Sequence, residues 1–344
     1  MMTRRVLPVL LMLTAYATAR SQTQTLKTES TLVLAPVRVQ SSNGELVHSL
    51  TAADFVLTDN GVPQAVHLEE TSHEPLAVVV LMQTGGTAPR QFPNYAGIAT
   101  LLQNAFSPVP YRVSLVTFDS QPEDRWPFSP DVANLRAGFL TPKAGDNGAA
   151  VLDAVEYGLD WLDDQHPPGR RMLLLISDNH FQASNDRMEH ALHRLAATNT
   201  AIYSLSYSGE TQWLKDQFTQ KRNENGAYLF SPTLPPLSHT FNLDGPLRHA
   251  IGSMSKNVAA SVASLSGGMF LPFSDRHSLE LQLVAFANDL NNRYILSFQP
   301  TSAKEGLHEL HVQVPTHPEF QVTVRQGYWR DSPSTGRMEE TPPH

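Results

Sequence analysis

The chain has 344 residues, 41% of them hydrophobic, with 33 Asp and Glu against 25 Lys and Arg and a formal charge of -8. That is long and apolar enough to bury the core of one large domain or two modest ones. The acidic balance, with no long run of one sign, disfavours nucleic acid as a partner. The absence of cysteine excludes disulfides, thiolate zinc sites, thiol catalysis and a lipid-anchored amino-terminal Cys.

Arg4 and Arg5 precede an apolar run at 6–15 and the small-x-small triplet Ala17-Thr18-Ala19. Residues 1–21 read as a secretory signal cleaved near Ala19 or Ser21. The alternative, an uncleaved anchor, meets an apolar run short of the about 20 residues that a span requires. The expected location is therefore exported, periplasmic or extracellular. No other segment is apolar enough to cross a bilayer, so no membrane span is expected in the mature chain.

Residues 31–70 alternate apolar and polar positions around two turn signals, Asn43-Gly44 and Asn60-Gly61, which predicts three or four strands. From Pro75 the pattern becomes buried strands separated by amphipathic helices, the mark of crossovers in a mostly parallel sheet. Strands are expected at 76–82, 112–118, 172–177, 201–207 and 269–271. Between them, Tyr95, Ile98, Leu102 and Phe106 recur at helical spacing, as do Val151, Val155, Leu159 and Leu162, and then Met188, Leu192 and Leu195. A longer stripe, Leu247, Ile251, Met254, Val258, Val262 and Leu265, predicts one helix opened by Asp244 and Pro246 and closed by Gly267-Gly268. A helix at 278–291 leads into alternating segments at 294–298, 310–314 and 320–324, which read as antiparallel strands. Strand segments at both chain ends are too few to fold separately and are expected to join in one small sandwich. Residues 208–242, polar and Pro-rich, read as a long surface loop, and 331–344 as a disordered tail.

Two strand ends carry the functional argument. At 76–87, LAVVVLMQTGGT, a buried strand runs into a Gly-rich turn opening a helix; at 171–178, RMLLLISD, another ends on Asp178. An open α/β sheet places its ligand at such carboxyl ends, and these two should lie side by side.

With these ends, with LTAADFVLTDNGVPQ at 50–64, and with the aromatic strand 294–298 and the closing Gly327-Tyr328, the chain resembles the von Willebrand factor A domain. It resembles more closely a family of secreted bacterial proteins containing a related domain. The resemblance implies an α/β fold, a doubly wound mostly parallel sheet at 73–291, with a small antiparallel β domain built from both chain ends, 30–72 and 292–330. Many such domains hold magnesium through Asp-x-Ser-x-Ser after the first strand, a later Thr and an Asp after the fourth strand. Here Gln83, Gly85, Thr87, Ala149 and Asp178 fall at those positions. A hard divalent cation wants oxygen ligands and carboxylate charge, and only Thr87 and Asp178 keep a ligand oxygen of that kind. No cofactor or metal is expected, with weak Mg²⁺ binding through Asp178 and Thr87 as the residual option. Asp178 also fits a bland role, capping the backbone that follows it.

Other constellations are weaker. His190-x-x-His193 lies off its helix's apolar stripe without a third ligand and reads as a solvated face. Ser264-Leu265-Ser266-Gly267 lacks the leading Gly of a nucleophile elbow, and Gly85-Gly86 belongs to no phosphate-loop motif. Asp153 is expected to be a structural acceptor near the sheet end. The reading is an exported, non-enzymatic interaction module with an unknown protein partner. It binds through Gln83, Thr84, Gly86, Thr87, Asp178, Asn179 and His180, with Phe181, Trp213 and Phe218 as apolar anchors. The alternatives are a divalent-metal-dependent adhesion-like protein and, less favoured, a hydrolase using Asp178 and His180.

Overall fold

A computed structural model describes residues 32–70, 74–178, 185–207, 257–302 and 304–330. The expected signal at 1–21, loop at 208–242 and tail at 331–344 lie outside the described residues. The amino-terminal strands are β1 (Val33–Gln40), β2 (Val56–Asp59), β3 (Val62–Gln64) and β4 (His67–Glu69). The central unit follows as β5 (Leu76–Gln83), α1 (Ile98–Phe106), β6 (Tyr111–Phe118), β7 (Pro122–Ser129), α2 (Arg136–Leu140), α3 (Val151–Gln165), β8 (Arg170–Asp178), α4 (Asn185–Ala197), β9 (Ala201–Tyr207), α5 (Val258–Ser266), β10 (Phe270–Phe273) and α6 (Arg276–Asn291). The chain closes with β11 (Tyr294–Phe298), β12 (Gly306–Gln313), β13 (Gln321–Val324) and β14 (Gly327–Arg330).

The central sheet runs β10-β9-β8-β5-β6-β7, parallel throughout except for β7. Every residue of β5 is buried, as expected for a central strand covered on both faces. Alternation along it supplies both cores. Val78, Val80 and Met82 face α1 and α6, while Ala77, Val79 and Leu81 face α3, α4 and α5. Each fully buried Val or Leu contributes about 1.5–3 kcal/mol. The strand order reverses direction at the β5–β8 junction, which sets the carboxyl ends of these two strands beside each other.

The edge strand β7, PEDRWPFS, was not among the expected strands, because its two prolines and charges hide the strand pattern. An edge position tolerates both, since one side of the strand makes no ladder. The expected helix directly after the Gly-rich turn is instead a pair of short 3₁₀ turns, Ala88–Arg90 and Phe92–Tyr95, each with a proline near its start, and α1 begins only at Ile98. The long stripe through Val258 is also corrected: Asn257 is extended and its side chain accepts from the Ala260 N–H at 2.9 Å, so α5 starts at Val258. Asp244, Pro246, Leu247, Ile251 and Met254 lie outside the described residues.

Both chain ends pair with each other in two antiparallel four-stranded sheets, β13-β1-β11-β4 and β14-β12-β2-β3. The regular alternation of β1 places Val33, Ala35, Val37 and Val39 in one core with Leu57, Leu296, Phe298, Leu310, Val312 and Tyr328. The β2–β3 hairpin turns at Asn60 and Gly61, both at positive φ (49° and 81°), as its Asn-Gly sequence requires. Arg325, only 2% exposed, ties this unit to the central one. It donates to the carbonyls of Gly327 (2.8 Å), Ala196 (3.1 Å) and Leu34 (3.4 Å) and to Asn199 Oδ1 (3.3 Å). Burial beside neutral acceptors pushes its guanidinium down to about 10.

Candidate functional site

Gln83 ends β5 and Asp178 ends β8. Gln83 Oε1 accepts the Asp178 backbone N–H at 2.8 Å, and because that donor is unambiguous it fixes the amide orientation. Gln83 Nε2 therefore points at acceptors, Asp178 Oδ2 at 3.2 Å and the Gly85 carbonyl at 3.1 Å. Thr87 Oγ1 donates to the same Asp178 oxygen at 3.1 Å. Asp178 Oδ1 is buried and has no hydrogen-bond partner among the described residues.

The phenols of Tyr95 and Tyr207 border this carboxylate. Burial, and then the Asp178 charge, pushes the Tyr95 hydroxyl well above its ordinary range. Burial, then Tyr95, then Asp178 do the same to Tyr207, whose Cα stands opposite Asp178 across the β8–β9 ladder. Both are thereby kept neutral.

The turn after β5 is stapled to a second loop that carries Asp146. Gly86 N–H donates to the Asp146 carbonyl at 2.8 Å and Gly145 N–H to the Thr84 carbonyl at 3.1 Å. Asp119 Oδ2 accepts the Asp146 N–H at 2.9 Å, while Asp146 Oδ1 accepts from the N–H groups of Gly148 (2.7 Å) and Ser120 (3.2 Å). A Cβ at position 85 would lie 2.3 Å from the Gly148 carbonyl and 2.6 Å from Asp119 Cβ. The second loop therefore stands where a side chain at 85 would be.

These residues do not fit the magnesium that the resemblance implies. The one side-chain oxygen of Gln83 is taken by a backbone N–H, and its amide N–H groups face the carboxylate that a cation would have to approach. Position 85 has no room for a hydroxyl-bearing side chain. Among the described residues no group of three or more His, Asp or Glu is arranged to hold a metal ion.

Of the residues singled out in the sequence, Gln83, Thr87 and Asp178 come together. Thr84 is buried and its hydroxyl donates to the Phe118 carbonyl at 3.1 Å, whereas Gly86 and Thr87 are exposed. Asn179, His180, Phe181, Trp213 and Phe218 lie outside the described residues. Asp153 pairs with Arg187, and His190 contacts Glu156 at 2.8 Å. His193 is not simply solvated: its ring packs edge-on to Trp329 with centroids 4.5 Å apart. Asp119 and Asp146 escaped the sequence reading; the turn-rich string Gly145-Asp146-Asn147-Gly148 was the available signal for the second.

No protein-family model matches the chain, and no curated protein does. Solved structures similar to it include an aerotolerance-related membrane protein from Bacteroides fragilis (11% identity, 62% of this chain and 98% of that one, TM-score 0.39). A conserved hypothetical protein BatB from Bacteroides thetaiotaomicron is similar over 62% of this chain and 99% of that one, at 12% identity and TM-score 0.36. The SpRpn10 VWA domain is similar over 40% of this chain and 78% of that one, at 11% identity and TM-score 0.32. The strand order and the helices on both faces give the central unit a doubly wound, mostly parallel α/β fold, with Gln83, Thr87 and Asp178 meeting at its β5–β8 switch point.

Proposed function

We propose that this chain is an exported, non-enzymatic protein–protein interaction module that binds at the β5–β8 strand ends without a metal. The observation that carries the reading is the Gln83–Asp178 pair, in which neutral donors occupy one oxygen, Oδ2, of the carboxylate that a metal-dependent version would offer to a cation. A face without a cation cannot grip a partner's acidic residue in that way, so binding rests on shape, neutral polar groups and apolar anchors. Gly86 and Thr87 offer the exposed surface, Gln83 and Asp178 hold its shape, and Asn179 and His180 are the next contact candidates in sequence. Export rests on Arg4, Arg5, the apolar run at 6–15 and Ala17-Thr18-Ala19. No helix among the described residues is long and apolar enough to cross a membrane.

The test is capture of partners from cell-envelope extract by the wild type and by Thr87→Arg, with and without chelator. The expected result is capture lost in the variant and indifferent to chelation. Capture unaffected by Thr87→Arg overturns the site. Capture abolished by chelator restores the divalent-dependent alternative, which has one observation in its favour, the unpartnered Asp178 Oδ1.

A further inference from the structure

Asp178 Oδ1, the Tyr95 hydroxyl and the Tyr207 hydroxyl are each closed to solvent, and none has a hydrogen-bond partner among the described residues. Orphaned buried polar atoms are few in a folded protein, and three in one place call for a common partner. The fold puts them together. Asp178 and Tyr207 stand opposite each other on the parallel neighbours β8 and β9, whose backbones run about 4.8 Å apart. Tyr95 packs with Ile176, Leu205 and Tyr207, and the period of two along β8 places Asp178 on the same face as Ile176. Each of the three groups acts electrostatically on the other two. The nearby donors are already committed: Thr87 Oγ1 and Gln83 Nε2 donate to Asp178 Oδ2, and the Asp178 N–H donates to Gln83 Oε1.

The chemistry of the common partner follows from counting protons and lone pairs. A carboxylate oxygen only accepts. Both phenols are kept neutral, so each carries a proton that needs an acceptor. The partner must therefore donate once and accept twice. A metal ion or an ammonium group has no lone pair to offer and would leave two phenol protons unpaired in a buried site. An anion would meet the Asp178 charge. Water fits the count, with one proton to Oδ1 and its two lone pairs to the phenols, and three bonds is the usual number for a buried water. A larger hydroxyl compound would have to part the strand ends to reach atoms that are closed to solvent.

We propose that the β5–β8 strand ends hold one structural water, bound by Asp178 Oδ1, Tyr95 and Tyr207. It completes what Gln83 and Thr87 begin: they occupy Oδ2, the water occupies Oδ1, and the carboxylate keeps no oxygen for a cation. The inference rests on the metal-free part of the reading above and is independent of any partner.

Long-lived internal waters are counted by oxygen-17 relaxation dispersion in the full chain and in Tyr95→Phe/Tyr207→Phe, which keeps both rings and removes both hydroxyls. Each protein is measured in sodium chloride and in choline chloride. The expected result is an amplitude lower by about one water in the variant, and the same in either salt. Equal amplitudes in the two proteins overturn the proposal. Should the variant not fold, a crystal structure of the wild type decides the matter, with a single peak expected about 2.6–3.0 Å from all three oxygens. A peak about 2.0–2.6 Å away, the separation of a cation from its oxygen ligands, overturns both the water and the metal-free reading. Phenols bonded directly to Asp178, with no peak between them, overturn the water alone.

Discussion

Gln83 and Asp178 grip each other twice across the switch point of the central sheet, once through the Asp178 backbone N–H at 2.8 Å and once through its carboxylate at 3.2 Å. Replacing the amide by a carboxylate, Gln83→Glu, keeps the size and removes the donor, leaving two buried like charges. We expect a loss of about 3 kcal/mol in chemical denaturation. Magnesium is expected not to restore it, because position 85 still has no room for a liganding side chain. Recovery of stability on adding Mg²⁺ would show that the strand ends accept a cation after all.

Gly85 and Gly86 are adjacent and predict opposite failures. At 85 an added Cβ meets the backbone carbonyls of Gly148 at 2.3 Å and Asp146 at 2.8 Å, so Gly85→Ala must push the second loop away. At 86 the nearest atom is 3.6 Å away and the difficulty is only the φ of 57°. Gly86→Ala should therefore lose about 1 kcal/mol, the left-handed penalty, and Gly85→Ala clearly more, of the order of an overpacked core at about 1–3 kcal/mol. Equal losses in thermal unfolding would mean that the second loop yields freely.

The central sheet was legible because β5, β8 and β9 are buried on both faces, and β5 and β8 read as nearly unbroken apolar runs. The Asn60-Gly61 turn was legible because its backbone demands those residues. The strand β7 was not, since it is a mostly exposed edge strand whose prolines and charges show no strand pattern, and nor was the break at Asn257, a cap inside a continuous apolar stripe. Within the site, Gln83 and Asp178 stood out as strand ends. Asp119 and Asp146 did not, because they act on backbone N–H groups of a loop whose path is set by tertiary contacts.

Arg325 sits where α4 ends against the joining sheets, and its contact with the Ala196 carbonyl places a cation at the negative end of that helix. Arg325→Met keeps bulk and abandons four acceptors; a loss of about 3 kcal/mol is expected. Arg325→Lys should lose less, because it keeps the charge without the planar fork. If Met proves neutral in denaturant titration, the acceptors find other donors and the junction does not depend on this residue.

Asp119 gives the loop carrying Asp146 a pH dependence in acid. Burial works to raise its carboxyl, but the N–H groups of Asp146 and Gln121 and a hydrogen bond from Glu123 outweigh it, so it lies below the usual carboxylate range. Glu123 is raised in turn, by burial first and then by the Asp119 charge, which favours the protonated form that donates to Asp119. A carboxyl depressed on folding contributes stability that is fully present above its unfolded value of about 3.9 and is lost as the pH falls through the folded value. Asp119→Asn should therefore weaken the protein near neutrality, where an amide N–H would oppose a backbone N–H, yet flatten the decline in acid. The measurement is the urea midpoint of both proteins from about pH 5 downward. An acid limb of unchanged slope in the variant would show that the loop carrying Asp146 is held by its backbone bonds to Thr84 and Gly86 rather than by this carboxylate.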